Sequence, residues 1–255
     1  MLQDTIYAID IEGLVKRYKG RVNPTLNSLN LRVKKGSLFG LVAPNGAGKT
    51  TTIEIMCGLK SFDSGSVKIE GLSVKNSLSA IKSIIGFVPQ EIALTPSLTG
   101  RENLRFIGGI YGVSDSELKV RVDELLAQFG LSNSADKQIG EYSGGMKRRI
   151  NLIAGMIHRP QTLILDEPTV GVDAQSRNLI LEELVKINRA GTTVMFISHY
   201  LEEAEAICDN VALMDGGRIV LEGNPAELAM QHPECKNLEA LYFKLTGKQM
   251  RDTYE

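Results

Sequence analysis

The chain has 255 residues, 43% of them hydrophobic and 23% charged, with 29 Lys and Arg against 30 Asp and Glu. Such proportions belong to a globular protein of one large or two small domains, exclude disordered and fibrous classes, and lack the basic excess of a duplex-coating protein, so no nucleic-acid partner is expected. There is no run of 18 apolar residues to span a bilayer, no basic-then-apolar signal pattern at the start, and only three cysteines, Cys57, Cys208 and Cys235. A soluble intracellular protein in a reducing compartment is the expectation.

Three strands open the chain. Residues 6–11 and 26–33 alternate, and residues 37–42 run apolar, the pattern of a strand buried on both faces. Asn23-Pro24 and Lys34-Lys35-Gly36 punctuate them as turns. A helix is expected after Gly48, with Ile53, Met56 and Cys57 on one face and Gly58 at its end. Short strands follow around 67–70 and 84–88, with Asp63-Ser64-Gly65 read as a turn between elements.

From about residue 91 to 160 the period becomes helical. Thr99 with Glu102 forms a capping box, Ser114 with Glu117 a second, and Ser143 caps a third helix. Leu118, Val122, Leu125, Leu126 and Phe129 make the stripe of the second helix, closed by Gly130. Met146, Ile150, Ile153, Ala154 and Ile157 make that of the third. Strand and helix then alternate again: a buried strand at 162–165, a helix capped by Asp173 and ending before Gly191, and a strand at 193–197. Residues 211–214 and 218–221 flank Asp215-Gly216-Gly217 as a hairpin. The alternation predicts an α/β fold with a mostly parallel, covered sheet into which the helical block is inserted.

Residues 43–51, Ala-Pro-Asn-Gly-Ala-Gly-Lys-Thr-Thr, stand between the third strand and its helix. A glycine-rich turn there lets backbone amides converge on phosphate oxygens at the positive end of the helix. Lys49 would reach the outer phosphates, and the Thr50 hydroxyl would bind Mg²⁺. Ala43 stands where the G-x-x-x-x-G-K-[ST] pattern has glycine. Its φ is expected to be negative, because a methyl group at positive φ costs roughly 1 kcal/mol or more. Downstream, Asp166 ends a buried strand at the edge where open α/β sheets bind ligands and suits a hydrated Mg²⁺. Glu167 follows it, positioned to polarise an attacking water as a general base.

Between these motifs, Tyr142-Ser143-Gly144-Gly145-Met146-Lys147-Arg148-Arg149 begins a helix. With Gln90 after its strand, residues 170–173 after the acid pair, and Ser198-His199 after another strand, the set resembles the ATP-binding-cassette ATPases, in the family's order and over nearly the whole chain. Tyr142 and Met146 depart from the usual Leu-Ser-Gly-Gly-Gln, and that variant, with the tail at 238–247, resembles the drug- and polysaccharide-exporter branch. The resemblance implies a P-loop NTPase core with a mixed, mostly parallel sheet, an N-terminal antiparallel β subdomain and an inserted α-helical subdomain. The ATPase domain would cover residues 1–225, with the insertion at about 91–160, and a short helical tail would cover 226–255. ATP would be held by Tyr18, stacked on adenine, and by Pro44, Asn45, Gly46, Ala47, Gly48, Lys49, Thr50 and Thr51. Mg²⁺ would sit on Thr50, Gln90 and Asp166, with Glu167, His199, Gln90 and Lys49 catalytic. Ser143, Gly144, Gly145 and Met146 would bind the ATP of the opposite protomer, and Asp173 would lie in the dimer loop, so that two chains sandwich two nucleotides.

Other residues read locally. Met146 also falls on its helix's apolar stripe as a core contact, Cys57 is a small core residue, and Lys147, Arg148 and Arg149 form a solvated or lipid-facing edge. The function implied is the ATP-hydrolysing subunit of a membrane exporter, peripheral on the cytoplasmic face of the cell membrane and driving separate transmembrane permease subunits. A soluble cassette ATPase of the iron–sulfur cluster assembly type is the alternative. Docking of the permease is expected on the loop at 91–98, where Ile92 and Leu94 have no local use and Leu98 staples against its own helix.

Overall fold

A computed structural model of the chain describes residues 6–247. In order come β1 (Tyr7–Lys16), β2 (Leu26–Lys34), β3 (Leu38–Val42), α1 (Lys49–Met56), β4 (Ser64–Ile69), β5 (Leu72–Ser73), α2 (Leu78–Ile84) and β6 (Ile85–Val88). Three helices follow without a strand between them: α3 (Gly100–Ile110), α4 (Asp115–Gln128) and α5 (Gly144–Met156). The chain continues through β7 (Thr162–Asp166), α6 (Ala174–Arg189), β8 (Thr193–Ser198), α7 (Leu201–Ile207), β9 (Asn210–Asp215), β10 (Arg218–Gly223), α8 (Pro225–Gln231) and α9 (Leu238–Thr246). The remainder of the expected tail, 248–255, lies outside the described residues.

The strands form two sheets. One is antiparallel in the order β2-β1-β4-β5, and the other has the order β10-β9-β3-β8-β7-β6. In the second, β9, β3, β8, β7 and β6 run parallel and β10 returns antiparallel to β9 through Gly216 and Gly217, both at positive φ as a primed hairpin turn requires. Alternation along β3 explains how one strand serves two cores: Leu38 and Val42 join one buried cluster, Phe39 and Leu41 the other. The first cluster takes the apolar stripes of α4, α5 and α6, together with Leu228, Leu238, Leu241 and Tyr242 from α8 and α9. The second packs α1 and the antiparallel sheet against the opposite face.

Local expectations change in two places. Ser64 and Gly65 begin β4 and are no turn; opposite them the register slips between Glu12 and Val15, and a Cβ on Gly65 would stand 2.5 Å from the Gly13 carbonyl. The short β5 and α2 went unpredicted, since two and seven residues, with only Ile81 buried in the helix, are too few to establish a period. The capping box of α3 is present in both its arms, whereas at α4 Ser114 caps the Glu117 amide without the reciprocal arm of a box; Ser143 and Asp173 cap α5 and α6 as expected.

Candidate functional site

Strand register alone assembles the site. Val42 pairs with Ser198, Ile197 with Asp166, and Leu165 with Val88, so the carboxyl ends of β3, β8, β7 and β6 lie side by side. The residues that leave those ends are therefore neighbours: the turn from Ala43, then His199, then Glu167, then Gln90. They line one cleft of about 410 Å³ with Tyr18, Pro44, Asn45, Gly46, Gly48, Lys49, Thr50, Thr51 and Asp166. Arg21, Thr25, Val170 and Tyr200 complete the wall. Ala47 is buried beneath the turn. Sequence reasoning missed those four, although Arg21 closes the basic stretch around Tyr18 and was legible there.

The turn needs glycine at one position above all. Gly48 caps α1 at φ 113°, and a Cβ there would stand 2.8 Å from Leu26 and 2.9 Å from Met214. Ala43 keeps a negative φ, as expected. The ammonium of Lys49 is folded into the loop, donating to the Ala43 carbonyl at 2.5 Å and to the Pro44 carbonyl at 3.3 Å. It also lies 3.5 Å from Glu167 Oε1, which stands 3.0 Å from His199 Nδ1. Glu167 is held by its own amide, donating to the Ile197 carbonyl, and takes φ 49°, a left-handed conformation that a non-glycine residue adopts at a cost of order 1 kcal/mol or more.

Two acids adjoin in the cleft. Asp166 and Glu167 are both under a tenth exposed. Burial first, and the neighbouring Glu167 second, push the Asp166 carboxyl up to about 6, against the opposing pull of Lys49. Two adjacent carboxylates with a hydroxyl and an amide oxygen nearby are the donor set of a hard divalent cation, so Asp166, Thr50 and Gln90 fit Mg²⁺. Tyr18 sits at the cleft's other end, its hydroxyl 3.2 Å from Thr51 Oγ1 and its ring beneath the ammonium groups of Lys16 and Lys60.

Ser143, Gly144, Gly145, Met146 and Asp173 are not among the cleft residues. Ser143 Oγ accepts from the Met146 amide, leaving Ser143 and Gly144 exposed at the start of α5. Gly145 is packed on α6, where a Cβ would meet Ser176 Oγ at 2.2 Å. Met146 is partly buried against the core, as its stripe predicted.

Two surface expectations are corrected. Leu94 is a core residue at 8% exposure and Ile92 packs partly buried against the same cluster. Their loop is pinned by buried amides: Asn103 accepts from the Thr95 amide at 2.8 Å and Asn151 donates to the Pro89 carbonyl at 3.2 Å. One patch of exposed apolar residues lies instead at the end of α3, with Phe106 at 62% and Ile110 at 68%, beside Tyr111 and Leu59. Nor is the basic run a plain solvated edge. Lys147 donates to the Gly140 carbonyl, Arg149 to the Phe129 carbonyl at 2.8 Å, and Arg148 to the carbonyls of Val170 and Gln90. Basic runs usually face solvent, and backbone acceptors folded against them leave no mark in the sequence.

The parallel sheet, the glycine turn with its lysine and the acid pair at the adjacent strand end define a nucleotide-hydrolysing α/β protein. The model of the ABC transporter family matches residues 26–170, more than half of the chain, and the chain belongs to that family. It is 44% identical over 220 residues to the linearmycin resistance ATP-binding protein LnrL of Bacillus subtilis (strain 168), covering 86% of this chain and 70% of that one. It is 37% identical over 235 residues to the Nod factor export ATP-binding protein I of Burkholderia orbicola (strain AU 1054), covering 92% and 77%. Among solved structures, the dimeric ATP-binding cassette MJ0796, in a post-hydrolysis state with ADP and Pi, superposes with a TM-score of 0.77 at 25% identity, covering 85% of this chain and 98% of that one. The chain is thus an ATP-binding subunit of exporter type and an ATPase, and the relatives carry the exporter reading over a soluble cluster-assembly one. Cassettes of this kind dimerise and work with transmembrane components, and among the described residues no helix is long and apolar enough to cross a membrane.

Proposed function

We propose that the chain hydrolyses ATP in the cleft at the carboxyl edge of its parallel sheet and transmits the change to a permease bound at the end of α3. Adenine stacks on Tyr18, the amides of residues 44–50 and Lys49 hold the phosphates, and His199 contacts the γ-phosphate. Glu167 accepts a proton from the attacking water while that water's oxygen bonds to the γ-phosphorus and the bridging oxygen leaves with ADP. Mg²⁺ on Thr50, Asp166 and Gln90 would neutralise charge on the phosphates. Ser143, Gly144, Gly145 and Met146 serve the nucleotide of the partner protomer, beside the loop carrying Asp173. The ATPase domain ends near residue 225 and the helical tail follows it. The single observation that carries the reading is the convergence of Lys49 and His199 on one oxygen of the buried Glu167, at 3.5 and 3.0 Å.

An apolar groove of about 500 Å³, lined by Leu59, Phe87, Ile110 and Tyr111 among others, supports a placement against the membrane-embedded partner. Phe106 and Ile110, four residues apart on α3, extend it as one exposed stripe. A short amphipathic helix of the permease suits such a surface, and holds the subunit on the inner face of the membrane. The test is Ile110→Glu: co-purification with the permease from membranes is expected to fall at least tenfold, with ATP binding and the melting curve of the isolated chain unchanged. Undiminished co-purification would place the docking surface elsewhere.

A further inference from the structure

Of the three consecutive basic residues in α5, only Arg148 reaches out of the helical unit to the central sheet's catalytic edge. Lys147 and Arg149 bond carbonyls at Gly140, Gly145 and Phe129, all within residues 129–145. The half-buried Arg148 instead divides its guanidinium: Nε donates to the Val170 carbonyl at 3.1 Å, and Nη1 donates to the Gln90 carbonyl. Gln90 leaves the end of β6, and Val170 belongs to the segment running from Glu167 to the Asp173 cap of α6. The Val170 amide in turn donates to the Glu167 carbonyl. Two hydrogen bonds therefore connect a side chain of α5 to the backbone of the catalytic acid, and one connects it to the backbone of Gln90.

We propose that Arg148 is a positioning residue for ATP hydrolysis: it clamps the Gln90 loop and the loop from Glu167 to Asp173 onto the first turns of α5, so that both follow the helical unit as one body. This rests on the assignment of Glu167 and Gln90 to the reaction. Only an arginine serves here, because its planar fork carries donors on separate nitrogens that reach two carbonyls at once, whereas lysine concentrates its donors on one atom. The environment agrees. Burial pushes the guanidinium's pKa down and the nearby Glu167 carboxylate pushes it back up, so the cation feels the acid it helps to hold. Because Ser143 caps the same helix, a shift of the nucleotide-binding end of α5 would be felt simultaneously at Gln90 and at Glu167.

The experiment uses the full chain with ATP and Mg²⁺, comparing Arg148→Ala and Arg148→Lys with the native protein. A 1 Å misplacement of a reacting group costs up to about 10²-fold, so loosening two loops should lower kcat by roughly tenfold in both variants, with KM for ATP within about twofold. Hydrogen exchange should quicken at residues 90–91 and 169–173 and stay unchanged at the amides of the turn at 45–50. Native kcat in Arg148→Ala would overturn the proposal. Recovery in Arg148→Lys would also overturn it, since charge alone would then suffice. So would exchange quickening evenly throughout α5 and its core, the mark of a merely structural role. If Arg148→Ala fails to fold, Arg148→Lys carries the test alone: reduced kcat with local loosening supports the clamp, and native behaviour refutes it. Glu167→Gln is run in parallel: sustained turnover there would refute the assignment of the base, while the exchange measurement still judges the clamp.

Discussion

Replacing Glu167 by glutamine isolates the proton-accepting role from everything else that residue does. The amide keeps the side chain's size, and the left-handed φ of 49° costs glutamine what it costs glutamate, so backbone strain cancels in the comparison. What changes is charge and basicity. Loss of a general base typically lowers the rate by 10²–10⁴, which is about 2.7–5.4 kcal/mol on the barrier. The ground state moves in the opposite direction. Glu167 is the second cause of the raised Asp166 carboxyl, so the amide lets that group return toward the ordinary carboxylate range. Lys49, 3.5 Å from Glu167 Oε1, is then less compensated and meets the phosphates with one negative charge fewer beside it. ATP affinity is therefore expected to hold or rise while turnover collapses, and an ATP-dependent dimer should persist. Phosphate release at saturating ATP, a nucleotide titration, and size-exclusion runs with and without ATP measure the three quantities. Turnover within about tenfold of native, or an affinity that falls along with the rate, would refute this account of Glu167.

Lys49→Ala removes a buried ammonium, and at about 1.5–3 kcal/mol per charge-assisted bond ATP affinity should fall by one to two orders of magnitude; an unchanged titration would contradict the phosphate-loop assignment. Gly145→Ala drives a methyl group to within 2.2 Å of Ser176 Oγ, and overpacking of this kind costs about 1–3 kcal/mol. A melting temperature several degrees lower is expected, partly restored by adding Ser176→Gly; no recovery would mean the clash is not the cause. Burial pushes the Cys57 thiol up to about 12 and raises that of Cys208 further, so alkylation of the folded chain at pH 8 should label the partly exposed Cys235 alone, as mass spectrometry would report.

Much of the architecture was legible because local rules and tertiary demands agree in this chain. Alternation and apolar runs marked β1, β2, β3, β7 and β8, and cap residues marked the starts of α3, α4, α5 and α6. The acid pair and the glycine turn were legible for a different reason: phosphate and metal chemistry demands particular residue types in unbroken order, so the signal is contiguous. Elements without enough length to show a period, β5 and α2, were not.

Tertiary structure alone decided the rest. Which strand ends are neighbours is a matter of sheet order, and it is the order β3-β8-β7-β6 that sets His199 and Glu167 side by side although 31 positions intervene in the chain. Whether an apolar loop residue is core or surface was equally undetermined. Leu94 is buried because Asn103 and Asn151 fold its loop inward, while Phe106 and Ile110 stay exposed on a helix whose other face is occupied. Arg148 is the same case with a charge. Sequence reports its cation, but only the folded chain supplies the two carbonyls that partner it, since backbone acceptors are identical at every position until the fold selects which of them converge.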